Sequence, residues 1–104
     1  MPEHARVFWG YHRGIKRYQL NWPAVTRKSV VLISAAEAEG PEFGAFTFTP
    51  NRFVGAAVFS VENIAPTDGA VVFVVHVNWP HPLPLWTDLT LFDPGDPIRL
   101  VGAG

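Results

Sequence analysis

The clearest pattern in the chain is an alternation of apolar and polar residues between positions 53 and 93. It predicts three consecutive β-strands, at 53–62, 70–79 and 85–93. A period of two is typical of a strand that buries one face. In the first strand, for example, Phe59 and Val61 alternate with Ser60 and Glu62. We therefore expect an antiparallel meander at the centre of the fold.

The middle strand of this meander is apolar on both of its predicted faces. The side expected to be buried carries Phe73, Val75, Val77 and Trp79, and the outward side carries Val72, Val74, His76 and Asn78. Valines on an outward face are unfavourable in water, and covering them gains ~25 cal/mol per Å². We therefore expect a second subunit to cover this face, which makes the protein a homo-oligomer.

Shorter apolar runs separated by glycine and proline predict the remaining strands. They lie at 5–13, 17–22, 29–34, 43–49 and 98–101, whereas 35–39 is expected to be a loop or at most one helical turn because Gly40-Pro41 follows it. Seven or eight short strands in one all-β domain, 1–104, favour an antiparallel β-sandwich. A small closed β-barrel is the alternative.

Composition narrows the class of protein further. Charged residues make up only 16% of a chain that is 48% hydrophobic, which excludes disorder as the default. There is no cysteine, so disulfides and thiolate chemistry are excluded. No apolar run approaches the length of a membrane span and no apolar leader begins the chain, so a cytoplasmic location is expected.

The charges are distributed unevenly. Six of the eight basic residues but only one of the nine acidic residues lie within the first 28 positions. The simplest interpretation places the basic N-terminal strands beside acidic neighbours on the surface. An anion-binding or inter-subunit role is the alternative. Nucleic-acid binding is not expected, because the basic residues are few and the net charge is −1.

One candidate site follows from the expected hairpin between the second and third strands. If the proline-rich segment 80–84 connects neighbouring strands, His76 lies opposite Asp88 and Asn78 lies opposite Trp86. Opposed side chains have Cβ atoms ~4.5–5.5 Å apart, within reach of an imidazole–carboxylate hydrogen bond. These four residues are the predicted ligand-binding residues.

Three interpretations of this patch remain open. It is an ordinary polar pair, a carbohydrate site in which Trp86 stacks on the sugar, or a catalytic arrangement of Ser60, His76 and Asp88. We expect a non-catalytic binding or assembly module that self-associates, with a glycan or a small apolar ligand as its candidate ligand. The alternatives are a small β-barrel enzyme that uses His76 and Asp88 as a general base on an apolar substrate, and a subunit of a larger structural assembly.

No motif predicts a cofactor, a metal or a catalytic residue. Asp93 and Asp96 could supply oxygen ligands to calcium, but Asp-Pro-Gly-Asp-Pro is more often a turn.

Overall fold

Two antiparallel β-sheets make up the fold. The structure, a computed structural model, describes residues 2–39, 51–92, 99 and 101–102. Its strands are β1 (Glu3–His12), β2 (Gly14–Asn21), β3 (Val31–Ala38), β4 (Arg52–Phe53), β5 (Val58–Thr67), β6 (Ala70–Asn78) and β7 (Leu83–Leu91). The four-stranded sheet has the order β1-β7-β3-β4 and the three-stranded sheet has the order β2-β6-β5. The predicted all-β sandwich of seven to eight strands is therefore confirmed.

The core lies between the inner faces of the two sheets. Fully buried side chains reach it from an interior strand of each sheet, namely Phe73, Val75 and Val77 of β6 and Leu85, Leu89 and Leu91 of β7. The alternation in β6 confirms the prediction that the Phe73 side faces inward, because Val72, Val74 and His76 are only partly buried. The turn between β5 and β6 consists of Asp68 and Gly69, with Gly69 at a φ of 85°.

The predicted hairpin between β6 and β7 is wrong. β6 pairs with β2 and β5, whereas β7 pairs with β1 and β3, so the two strands belong to different sheets. Pro80 and Pro82 have no N–H group and cannot extend the ladder of β6, and the segment that contains them crosses from one sheet to the other.

The prediction for residues 35–39 is also wrong. β3 continues to Ala38 as a strand, in which Glu37 pairs with Leu85 of β7 and with Phe53 of β4. Pairing on both sides overrides the local helix propensity of this alanine- and glutamate-rich segment.

The strand predicted at 53–62 is divided, because Phe53 belongs to the four-stranded sheet while Val58 begins β5 in the other sheet.

A β-bulge redirects the end of β1. The register with β7 shifts by one residue between Phe8 and Tyr11, and Gly10 adopts a φ of 86° at that point. Tyr11 is 52% exposed, and His12 turns inward. The inner side of this end of the sandwich therefore carries an aromatic cluster, Trp9, His12, Tyr18 and Phe73.

Some predictions lie outside the described residues. These are the strand at 43–49, most of the strand at 98–101, and the calcium ligands Asp93 and Asp96. Within the described part of the chain, no helix has the length and hydrophobicity to span a membrane.

We expect Tyr18→Phe to raise the free energy of unfolding by about 1 kcal/mol. The Tyr18 hydroxyl is buried, and it has no hydrogen-bond partner among the described residues. Burial also raises the pKa of Tyr18, so the phenol keeps its proton at neutral pH. Phenylalanine keeps the ring stacked on Phe73, with centroids 5.8 Å apart, and removes the buried hydroxyl. Urea denaturation measures the change.

Thr87→Val is the matched control for this prediction. The Thr87 hydroxyl is equally buried but accepts a hydrogen bond of 2.7 Å from Trp9 Nε1. Removing it leaves a buried indole N–H without an acceptor, so this variant should lose stability. Loss of stability in Tyr18→Phe as well would contradict the prediction.

Candidate functional site

The four predicted ligand-binding residues lie on two different surfaces. His76 and Asn78 belong to the outer face of the three-stranded sheet, and Trp86 and Asp88 belong to the outer face of the four-stranded sheet. The predicted pairs of His76 with Asp88 and of Asn78 with Trp86 are therefore wrong. These pairs require β6 and β7 to be neighbours in one sheet, whereas the two strands lie in different sheets on opposite sides of the core. Whether either pair binds a ligand stays a prediction.

His76 has other neighbours than the sequence suggested. In the register of the three-stranded sheet it stands between Ser60 of β5 and Ile15 of β2. Ser60 does share its face, as the alternation predicted. Asp88 lies on the opposite surface, so the catalytic arrangement of Ser60, His76 and Asp88 is not assembled.

The two tryptophans near the predicted site have the reverse of their expected exposure. Trp86 is only 4% exposed and packs edge-on against Phe8, with ring centroids 5.2 Å apart. Trp79, which was expected in the core, follows the end of β6 and is 38% exposed. The ring assigned to sugar stacking is therefore not accessible on the surface.

Asp88 is bound by two arginines. Arg6 donates from Nε to Oδ1 at 2.7 Å and from Nη2 to Oδ2 at 2.9 Å, which is a bidentate contact. Arg52 donates from Nη1 to Oδ2, also at 2.9 Å. We call these three residues the arginine–aspartate cluster.

Strand register brings the cluster together. Arg6 and Ser34 are the two partners of Asp88 in the neighbouring strands β1 and β3. Arg52 lies one strand further away, in β4, and reaches across β3. Its guanidinium also donates to two groups of β3, from Nη1 to the Ser34 hydroxyl at 2.9 Å and from Nη2 to the Ala35 carbonyl at 3.2 Å. Its guanidinium is therefore held in one orientation by a charged and two neutral acceptors.

The cluster fixes the charge of Asp88. Hydrogen bonds from Arg6 lower the pKa of Asp88 most; partial burial opposes this effect, and the contacts with Arg52 add to the lowering. The hydrogen bond with Asp88 likewise raises the pKa of Arg6. Two guanidinium groups therefore bind one ionised carboxylate.

A shallow cavity of about 250 Å³ adjoins the cluster. It lies between β1 and β7, and its lining residues are His4, Ala5, Arg6, Asp88, Leu89 and Thr90. Within this cavity, His4 Nδ1 is 3.0 Å from Thr90 Oγ1. The cavity thus presents imidazole, hydroxyl and guanidinium groups to solvent beside the carboxylate.

The sequence contained one signal for the cluster. The basic N-terminal segment is expected to lie beside acidic neighbours, and among the described residues two of its six cations do so, in the ion pairs of Arg6 with Asp88 and of Arg27 with Asp68. Arg52 carried no such signal, since its contact with Asp88 depends on a strand order that local patterns do not encode.

No family model, curated protein or solved structure matches the chain. Among the residues that the structure describes, no three histidine, aspartate or glutamate side chains are grouped closely enough to hold a metal ion. A functional proposal therefore depends on the geometry of the two outer faces.

Proposed function

We propose that the chain is a non-catalytic assembly module whose three-stranded sheet packs its outer face against the same face of a second copy. The apolar centre of this face is formed by Val72 and Val74, which are partly buried. Toward the edges, Ile15 is 68% exposed and Val58 is 63% exposed. Exposed apolar side chains on both flanks of an apolar strand form the kind of patch that protein partners cover.

The observation that carries the proposal is a row of three residues across this face. Val74 stands in register with Arg17 of β2 on one side and with Glu62 of β5 on the other. Both charged residues are exposed, and the described residues give no salt bridge for either. The row is therefore positive at one end, apolar in the middle and negative at the other end.

Such a row is complementary to itself. A twofold axis parallel to the strands exchanges the β2 and β5 sides, so it places Arg17 of one copy over Glu62 of the other. A twofold axis perpendicular to the strands places Arg17 over Arg17, which is repulsive. Charge therefore selects the first arrangement, with the two β6 strands facing each other.

The size of the face bounds the affinity. Three strands of about eight residues cover roughly 14 by 26 Å. This is small beside the ~800 Å² per partner that a standard interface buries. We expect a weak, concentration-dependent dimer rather than a permanent one.

The buried Trp86 and the separation of His76 from Asp88 favour assembly over carbohydrate binding and over general-base catalysis. A sugar would have no stacking ring at Trp86, and a general base at His76 would have no carboxylate to orient it. A larger assembly would need a second contact surface besides this face.

Charge reversal tests the proposal. Arg17→Glu and Glu62→Arg are each expected to weaken self-association about tenfold or more, because each places like charges opposite one another. The double variant restores both contacts and should recover the affinity. Sedimentation equilibrium from about 10 μM to about 1 mM covers the expected range of dissociation constants.

Lys16→Glu is the matched control. Lys16 is the exposed neighbour of Arg17, but it is in register with the inward-facing Val75, so the same charge change falls on the other side of the strand. It should leave the dimer unchanged. A protein that is monomeric at about 1 mM would overturn the proposal, and a double variant as weak as the single variants would overturn the twofold arrangement.

A further inference from the structure

We propose that the open edge of β2 is a docking site for an extended acidic segment of another protein, which adds to the three-stranded sheet as a further strand. The site is the edge of this sheet and not its outer face. It is therefore separate from the assembly face and does not depend on self-association.

The edge strands of the two sheets differ in how well they can pair with another strand. Among the strands that the structure describes, β1, β4, β2 and β5 lie at edges. β4 has only two residues, β1 contains the bulge at Gly10, and β5 has a register shift after Glu62 and then Pro66, which has no N–H group. Short length, bulges and prolines protect an edge from pairing. β2 has none of them, and all eight of its residues pair with β6 without a register shift.

The register shows which backbone groups of β2 are open. Trp22 donates its backbone N–H to the Gly69 carbonyl at 2.9 Å, and this contact continues the register of β2 with β6. The N–H and C=O groups of successive residues point to alternate sides of a strand, so the even-numbered residues of β2 bond to β6. The groups that point to the open edge belong to Ile15, Arg17, Gln19 and Asn21. No described strand pairs with this side of β2.

The charges beside this edge indicate the kind of partner. Arg13, Lys16 and Arg17 are exposed, and none of them forms a salt bridge with a described residue. Lys16 is in register with the inward-facing Val75 and Arg17 with the outward-facing Val74, so a cation flanks the edge on each side of the sheet. Acidic residues in an added strand would meet these cations with opposite charge.

The same cations exclude other strands. Charged side chains on an edge act against pairing, because an apolar strand would desolvate them without compensation. A second copy of β2 would bring only further cations, since no acidic residue occurs between positions 4 and 36. The backbone groups thus supply the affinity for an added strand, and the cations select an acidic one. Two adjacent acidic residues would fit best, because neighbouring side chains of a strand point to opposite faces.

Titration with a synthetic peptide tests the inference. The peptide has the length of β2 and alternates valine and threonine around two adjacent glutamates, and the protein concentration is kept fixed. We expect saturation at about 0.1–1 mM peptide. Amide hydrogen exchange, measured by NMR, should slow about tenfold near saturation at the odd-numbered residues of β2. It should stay unchanged at the even-numbered residues, whose N–H groups already bond to β6.

Two control peptides separate strand addition from simple attraction of charges. Lysine in place of both glutamates should weaken binding about tenfold or more. N-methylation of the central amides of the acidic peptide keeps its charge but removes its hydrogen-bond donors, so the odd-numbered residues of β2 should not be protected. Equal binding of the acidic and basic peptides, or equal protection by the methylated peptide, would overturn the inference.

Variants of the protein test the same two contributions. Gln19→Pro removes an open N–H and should abolish strand addition, while the ladder with β6 is retained because residue 19 does not donate to it. Lys16→Gln should weaken binding of the acidic peptide about threefold or more. Lys28→Gln is its matched control, because Lys28 is exposed in the connection between β2 and β3, and it should leave binding unchanged.

The pattern of protection decides the outcome even if Gln19→Pro does not fold. Absence of protection at about 1 mM acidic peptide, or protection without alternation along β2, would overturn the inference. Alternating protection that appears without peptide as the protein concentration rises would mean that a second copy occupies the edge, which would also overturn it.

Discussion

Replacing Phe73 with alanine is expected to lower the free energy of unfolding by about 3–5 kcal/mol. Phe73 is completely buried on the central strand of the three-stranded sheet. Its ring stacks on Tyr18 at 5.8 Å and meets Trp9 edge-on at 5.9 Å. Alanine removes the largest fully buried side chain among the described residues and leaves a cavity that rigid strands on both sides cannot close.

Urea denaturation followed by tryptophan fluorescence measures this change. A domain of this size has about 5–15 kcal/mol of stability, so the variant should unfold at much lower urea concentration. Val74→Ala, one residue further along β6 and directed outward, is the matched control. Below the dimerisation range it should cost less than about 1.5 kcal/mol. Equal losses for both positions would contradict the assignment of inner and outer faces.

Asp88→Asn is expected to lower the free energy of unfolding by about 1–3 kcal/mol at neutral pH. The variant leaves the guanidinium groups of Arg6 and Arg52 facing each other without the carboxylate that both of them bind. The effect stays moderate because the Asp88 side chain is 30% exposed and solvent screens the repulsion. Asp68→Asn, in an ion pair whose side chains are 82% and 72% exposed, should change stability by less than about 0.5 kcal/mol.

The pH dependence gives an independent measurement. The pKa of Asp88 is lower in the folded protein than in the unfolded chain. The folded state therefore binds fewer protons at this group. Its stabilising contribution is complete above the unfolded pKa of about 3.9 and is lost as the pH falls through the folded pKa.

The difference in stability between the wild type and Asp88→Asn should therefore be constant from pH 5 to pH 8 and shrink below about pH 4. Denaturation curves at several pH values measure it. A difference that grows as the pH falls would mean that Asp88 is not stabilised in its ionised form.

Strands with a strong local pattern could be predicted from the sequence. β6 has a buried aromatic and β-branched side, and Asp68-Gly69 marks the turn before it, so its start and its inward side at Phe73 were correct, although the strand ends at Asn78, one residue earlier than predicted. The segment after Ser34 had no such pattern, and its alanines and glutamates favour a helix locally. Pairing with β7 decides its structure, and no local signal contains that pairing.

The candidate site was harder to predict for the same reason. Asp88 was correctly placed on an outward side, but its partner was sought in the preceding strand. Its partners are Arg6 and Arg52, which are 82 and 36 residues away in the sequence. Trp86 also follows the outward alternation, yet it is buried on that outer face, where one of its contacts is the ring of Phe8.

The order β1-β7-β3-β4 also determines when the protein can fold. The last described strand, β7, lies between β1 and β3 and pairs with both of them. Neither β1 nor β3 therefore has this partner until residues 83–91 have been synthesised and have left the ribosome. The β5–β6 hairpin needs only neighbouring residues and can form earlier, with β2 joining it. We expect nascent chains that stop before β7 to hold the three-stranded sheet at most, with its apolar inner side open to chaperones and to aggregation.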